Sequence, residues 1–565
     1  AQDGAAEFHS AWPYQVPPTG HFNLMQGVTN AIMAPPNIYG DLIIEPFAMY
    51  YWESREWLPL LATEWKFEGE EYFQIKLRQG AKWSDGNEIT AQDVLSTFWC
   101  ARIMKVTVWD YLDRIEAPDE YTVNFYMSRP STVVERYVLR FNTLSNVHYG
   151  DWAARAEDFF TAGGTLDDDE GKQLLDEFSK FRPENVIASG PFMIDVNSIT
   201  NSQMTLVKND LAWNAADVKF DRIVNFNGET PDITPVVLAK DVDYATHGFP
   251  PATELQFIES GIRILRPPVY SGPAILFNYN TLNDVFGDKR VRQALAHAFN
   301  REQTGTIALA ESGVGVEYMA GMSDVAVPQW LTEEDIAALN RYEFDPEKAA
   351  ALLQEVGWTK DGDTWLTPAG EPAEWELSFP AEFADNSAAS LDVVEQLGNF
   401  GIKLEPRAIT FTQHPIDVNQ GKFQLATRGW GSSNNPHPHF AFVTDFFTHN
   451  TLAIRDGGQG TGFPLKQTTD SVGEVDLEQL VIESAEGLDE AAQKERVGRI
   501  AKAFNELLPI LPLYERYGNN AAIEGVRVKA WPPEGDPILQ NSPYADGIAT
   551  MLIYTGWLEP VDAAE

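Results

Sequence analysis

The ten residues from Trp430 to His439 read Trp-Gly-Ser-Ser-Asn-Asn-Pro-His-Pro-His. They combine one flat apolar ring with hydroxyls, amides and imidazoles. Together such groups can hold a polar, uncharged ligand by stacking and neutral hydrogen bonds. A second chemistry is open to the same stretch. In an extended chain His437 and His439 point the same way, which would offer two imidazoles to a metal ion, with His414 and His449 nearby in sequence. The intervening proline and the lack of further ligand spacing count against that use. Ordinary loop hydrogen bonding is the plainer role.

Catalytic constellations are missing. The sequence has no Gly-x-Ser-x-Gly, no His-Glu-x-x-His and no phosphate-binding Gly-x-x-x-x-Gly-Lys. Among 83 acidic residues some pair will always suit a glycosidase on paper, so their number says nothing about catalysis. No enzymatic activity and no cofactor are expected. The single cysteine, Cys100, stands among Phe98, Trp99 and Ala101 and reads as a buried structural thiol. It excludes an intrachain disulfide and a cysteine-based zinc site.

The elements that must position the Trp430 loop are partly legible. Lys422-Phe-Gln-Leu-Ala426 alternates and reads as a strand. Gly, Ser, Asn and Pro then break it, so Trp430 is expected where strand gives way to loop. The first 60 residues, with Trp12-Pro-Tyr, Pro17-Pro and Pro35-Pro, predict short strands and long connections. Trp12, Phe22 and Trp52 lie in this polar, proline-broken context, where some aromatic rings line a cleft rather than a core. Phe73, Ile75 and Leu77 alternate with Gln74 and Lys76, a half-buried strand. Thr90-Ala-Gln-Asp93 opens a helix running to about Met104, with Thr90 as cap. Asp345 caps a second helix, Pro346 takes its first position and Gly357 ends it. Asp167-Asp-Asp-Glu170 reads as a solvated loop.

Composition sets outer limits. A chain of 565 residues predicts two or three compact units. The net charge of −42 would repel phosphate backbones and anionic lipid, so nucleic-acid binding is excluded as a function class. A saline habitat would screen the self-repulsion of such a surface. No window offers a transmembrane helix. No basic, apolar leader opens the chain, so an exported form is expected to be numbered from after its signal peptide.

Several ordered segments carry a family likeness. Leu60-Leu-Ala-Thr-Glu-Trp65, Tyr72-Phe-Gln-Ile-Lys-Leu-Arg-Gln-Gly-Ala-Lys-Trp-Ser-Asp-Gly86 and Ile89-Thr-Ala-Gln-Asp-Val94 come first. Ala188-Ser-Gly-Pro-Phe192, Phe277-Asn-Tyr-Asn280, Asp288-Lys-Arg-Val-Arg-Gln-Ala-Leu295, Tyr342-Glu-Phe-Asp-Pro-Glu-Lys-Ala349 and Leu508-Pro-Ile-Leu-Pro-Leu-Tyr514 follow. In order and spacing the chain resembles the extracytoplasmic solute-binding proteins of ABC importers. The branch is the large peptide-, nickel- and oligosaccharide-binding one (family 5, cluster C type), and the chain is closest in character to cello-oligosaccharide-binding members. Arg290 and Arg292 then read as surface or structural charges.

The resemblance implies a two-lobed α/β periplasmic-binding (Venus flytrap) fold with an extra α/β subdomain on the first lobe. Lobe one is expected at residues 1–40, 180–270 and 515–565, the extra subdomain at 41–179 and lobe two at 271–514. Crossings are expected near Val269–Gly272 and Pro512–Tyr514. The implied function is capture of a small-molecule solute by hinge closure and delivery to ABC permease subunits. The protein would be a monomer, periplasmic or attached to the cell surface by a lipid anchor.

The likeness also bears on the ligand. Peptide-binding relatives place an Asp three residues after the loop Trp, where it pairs with the peptide ammonium. This chain has Ser433 there, followed by Asn434 and Asn435. That departure favours a neutral oligosaccharide of cello- or manno- type over an oligopeptide or dipeptide, with nickel a further alternative. The expected contacts are Trp430 as stacking platform and Ser433, Asn434, Asn435 and His437 as polar partners. From lobe one come Trp12, Phe22, Trp52 and the Thr246–Phe249 loop with His247 and Phe249.

Overall fold

The computed structural model describes residues 4–13, 16–17, 20–27, 30–34 and 37–562. Tyr14, Pro18, Pro35 and Pro36 of the expected N-terminal turns lie outside them. Three sheets of four or more strands organise the described chain.

The first sheet has seven strands, ordered Arg263–Leu265, Asn520–Ala522, Tyr244–Ala245, Glu7–Trp12, Arg222–Asn227, Gln203–Lys208 and Phe192–Asp195. Glu7–Trp12 lies at its centre, parallel to both Arg222–Asn227 and Tyr244–Ala245. The second sheet has five strands, ordered Lys403–Ile409, Glu374–Pro380, Leu425–Gly431, Ser271–Phe277 and Ile510–Pro512. Here Glu374–Pro380 runs parallel to both of its neighbours. Parallel strands need crossover connections, and helices such as Thr230–Leu238 and Ala384–Phe400 supply them.

Two segments pass between these sheets. Residues 266–270 leave the first for the second, and residues 513–519 return. They run side by side: the Val269 amide donates to Arg516 O at 3.0 Å and the Leu513 amide to Pro273 O at 2.9 Å. Gly272 is required there, since a Cβ would sit 2.0 Å from Tyr514 O.

The third sheet is antiparallel, with strands Ala62–Glu68, Tyr72–Leu77, Thr122–Met127 and Leu112–Asp119. Phe73, Ile75 and Leu77 are buried and Lys76 is exposed, as their alternation predicts. Against the sheet packs helix Ala91–Ile103, closed by a full capping box between Thr90 and Asp93. Cys100 is buried in that helix, and burial pushes its thiol far up. Helix Pro346–Glu355 has Asp345 as cap, and Gly357 follows at φ 86°.

Two local expectations need correction. The strand before Trp430 begins at Leu425, not Lys422, and runs through Gly431, so Trp430 is a strand residue. The acidic run is only half loop: Asp167 and Asp168 lie in an exposed turn, and Asp169 and Glu170 form the first turn of helix Asp169–Ser179. Carboxylates there complement the helix dipole, and Leu174 and Phe178 bury its inner face. Arg290 is half-exposed and paired with Asp288 at 2.6 Å. Arg292 is buried and donates to the carbonyls of Leu507 and Leu508 at 2.8 and 3.0 Å, a structural role.

Candidate ligand-binding site

In open sheets the chain ends of parallel strands leave a crevice, because successive connections depart to opposite sides. Both sheets turn such ends toward one another. From the first come Trp12, Glu229 and Thr230 after Asn227, and Thr246, His247 and Gly248 after Ala245. From the second come Glu382, Phe383 and Asp385 after Pro380, and Ser433 and Asn434 after Gly431. Together with Val269, Ser271, Arg516 and Tyr544 they line a cavity of about 300 Å³. That is at the lower end of ordinary small-molecule sites. It continues past Phe383 and Asp385 into a further space of about 220 Å³ beside Thr427 and Arg428.

Aromatic surface and neutral polar groups share the wall. Trp12, Phe383 and Tyr544 give flat faces; Thr230, Thr246, Ser271, Ser433 and Asn434 give neutral donors and acceptors. His247 donates from Nε2 to Gly228 O at 2.9 Å. That bond fixes the tautomer and leaves Nδ1 an acceptor without a partner among the described residues. Burial brings its pKa down to about 4, so the ring is neutral near pH 7.

Charged groups share the wall. Burial, then repulsion from Glu382, Asp232 and Asp385, raises Glu229 to about 7. Arg516 Nη1 lies 3.5 Å from Asp385 Oδ2. Gly248 makes room for that guanidinium, since a Cβ would stand 2.8 Å from Arg516 Nη2. Three carboxyl groups, Glu229, Glu382 and Asp385, therefore line the cavity with one arginine.

Of the ten residues singled out from the sequence, Trp12, His247, Ser433 and Asn434 line this cavity. Phe249 does not; it is fully buried against His247 and Phe257. Asn519 clamps its backbone, accepting from the Phe249 amide and donating to its carbonyl, and so steadies the loop that carries His247. Trp430 is only 1% exposed. It is a strand residue whose ring packs in the core of the second sheet, and its indole N–H donates to Tyr514 O at 3.3 Å. Asn435 is taken up by Arg136, whose Nε donates to its Oδ1 at 3.1 Å. Phe22 packs at the edge of the core shared by the first and third sheets.

Trp52 and His437 border a second, separate cavity. The histidine pair is not extended as expected. His437 caps helix Pro438–Val443 and its Nε2 lies 3.3 Å from Gln493 Oε1. The Nδ1 of His439 instead faces Val481 O and Ser484. Among the described residues no group of three or more His, Cys, Asp or Glu is placed to hold a metal ion.

Sequence reasoning missed Glu229, Glu382, Phe383, Asp385, Arg516 and Tyr544. Four of these follow strands that end at Asn227 and Pro380, so strand-end position was the usable signal. Arg516 and Tyr544 carry no local signal.

The description "Bacterial extracellular solute-binding proteins, family 5 Middle" fits residues 56–451. The oligopeptide-binding protein AppA of Bacillus subtilis is 23% identical over 66% of this chain, and the match spans 64% of its length. A periplasmic oligopeptide-binding protein from Thermotoga maritima superposes with a TM-score of 0.79 at 20% identity, covering 99% of this chain and all of that one. Its mannohexaose-bound structure superposes with a TM-score of 0.75, covering both chains completely. No described helix is long and apolar enough to cross a membrane.

Proposed function

The chain belongs to the bacterial extracellular solute-binding proteins of family 5 and has their two-lobed α/β periplasmic-binding fold, and from that premise we propose that it captures a neutral oligosaccharide for an ABC importer. The lobes are taken as residues 1–40, 180–270 and 515–565 against 271–514, with 41–179 as the extra subdomain. Solute seated between the sheets touches both and favours the closed arrangement by its differential affinity for it. The chain performs no chemistry. It acts outside the cytoplasm as a monomer and hands its load to membrane permease subunits.

One observation carries the saccharide reading. The cavity sets three aromatic faces among hydroxyl and amide groups drawn from both sheets. Sugar rings stack their C–H faces on such aromatic surface and exchange hydrogen bonds around their edge. A similar structure holding mannohexaose supports it. Carboxylates are compatible, because each accepts from hydroxyls.

A second reading is an oligopeptide. Ser433 replaces the expected Asp, but Glu229, Glu382 and Asp385 line the same cavity and could meet a buried ammonium. Peptide-binding relatives such as AppA favour it.

A thermal-shift panel separates the two. Ligand that binds only the native state at about 100 times its Kd stabilises by about 2.7 kcal/mol. Mannohexaose or cello-oligosaccharide should raise the melting temperature. A rise with peptides alone would sink the saccharide assignment.

A further inference from the structure

The loop after Trp430 faces two cavities. Ser433 and Asn434 border the first; Pro436 and His437 border another of about 210 Å³. The second lies between the segment 41–179 and the five-stranded half of the molecule. Its walls are Tyr50, Trp52 and Trp57 on one side and Trp330 and His437 on the other. It exceeds the roughly 150 Å³ apolar cavity that accepts a benzene ring, so one six-membered ring fits.

Arg136 lines this space. Its Nη2 donates to Asn434 O at 2.7 Å and to Asp546 at 2.8 Å. Its Nη1 has no partner among the described residues, although Arg136 is only 7% exposed. The guanidinium lies 5.7–5.8 Å from the rings of Tyr50, Trp52 and Trp57. A buried donor left unmet is costly, and a ligand acceptor would satisfy it. Asp546 already compensates the arginine charge, and Glu135 and Glu490 also face the cavity, so an anion would be repelled. Arg136 and Arg55 disfavour a cation. A neutral ring bearing hydroxyls meets every condition: apolar faces for the tryptophans, an acceptor for Arg136 Nη1 and a donor for Glu135.

We propose that this second cavity is a subsite for one neutral, hydroxyl-bearing six-membered ring. The proposal rests on the saccharide reading of the first cavity. The ring is either the end unit of the same oligosaccharide, passing over residues 433–437, or a separate monosaccharide.

Isothermal titration of the intact protein with mannohexaose, mannobiose and mannose distinguishes these. The variants are Trp330→Ala, which removes a wall, and Glu135→Gln, which preserves shape if the larger change fails to fold. For an end unit, either variant weakens mannohexaose at least tenfold and leaves mannobiose unchanged. For a separate ring, mannose binding is lost and mannohexaose keeps its affinity. Wild-type affinity for all three in folded variants overturns the subsite while the function stands. Absence of binding to the wild type by these three and by cellohexaose, cellobiose and glucose, titrated in parallel, overturns both.

Discussion

Arg136 pairs with Asp546 at 2.8 Å across 410 residues of sequence, and the Asp546 side chain is completely buried. The same carboxylate also lies 3.1 Å from Arg140 and accepts from the Trp52 indole at 2.8 Å. Because Arg136 also holds Asn434 and Asn435, this cluster joins the 41–179 segment, the C-terminal region and the Trp430 loop.

Breaking the cluster should be costly. Burial pushes the Asp546 carboxyl up, but Arg136 and Arg140, with bonds from Tyr50 and Trp52, outweigh it and hold it below the usual carboxylate range. Its contribution is therefore present above the unfolded pKa and is lost as pH falls through the folded one. Asp546→Asn leaves Arg136 without a carboxylate and Arg140 with Asp41 alone, and should cost about 3–5 kcal/mol, read from denaturant midpoints. A loss under 1 kcal/mol would contradict this.

Trp430→Ala should act on stability. The buried indole packs in a core, so truncation should cost about 3–5 kcal/mol. Full stability with reduced saccharide affinity would place the ring in the site after all.

Tyr544→Ala tests the first cavity, whose wall Tyr544 forms from the C-terminal region. Mannohexaose affinity should fall about tenfold, roughly 1.4 kcal/mol, in calorimetric titration. Unaltered affinity would remove Tyr544 from the contact surface.

Glu229 gives a pH signature. Its folded pKa of about 7 exceeds the ordinary 4.5, so the native state holds the proton more tightly. Its relative stabilisation is complete below about pH 4.5 and is lost as pH rises through 7. Glu229→Gln should melt above the wild type at pH 8, with the gap closing toward pH 4.5. Equal melting temperatures at pH 8 would refute this.

Acid should unfold the protein through its histidines. Burial brings His437 and His449 down to about 3 and His247 and His439 to about 4. Unfolded histidine takes a proton near 6.5, so stability falls as pH drops from 6.5 toward 3. His437→Gln should blunt that loss in pH-dependent melting curves, whereas an unchanged slope would argue against it.

Local features were legible in the sequence because neighbouring residues determine them. Thr90 and Asp93 close their helix with their own side chains, and Phe73, Ile75 and Leu77 share a face through strand geometry alone. The ordered motifs between Leu60 and Tyr514 carried the family and the two-lobed fold.

The site was not local. Trp430 was legible as an aromatic residue beside a polar loop, but which side of the sheet its ring takes depends on the pairing register, which sets it opposite Gly272. Gly272, which has no side chain, leaves room for the buried indole. Trp12, Glu229, His247, Phe383 and Ser433 meet only because parallel strands from two sheets end face to face. Arg516 and Tyr544 arrive from the returning crossing and the C-terminal region. The sequence by itself determined the helices, the alternating strands and the family; tertiary structure alone decided which side chains share a cavity, because strand order and direction bring together residues hundreds of positions apart.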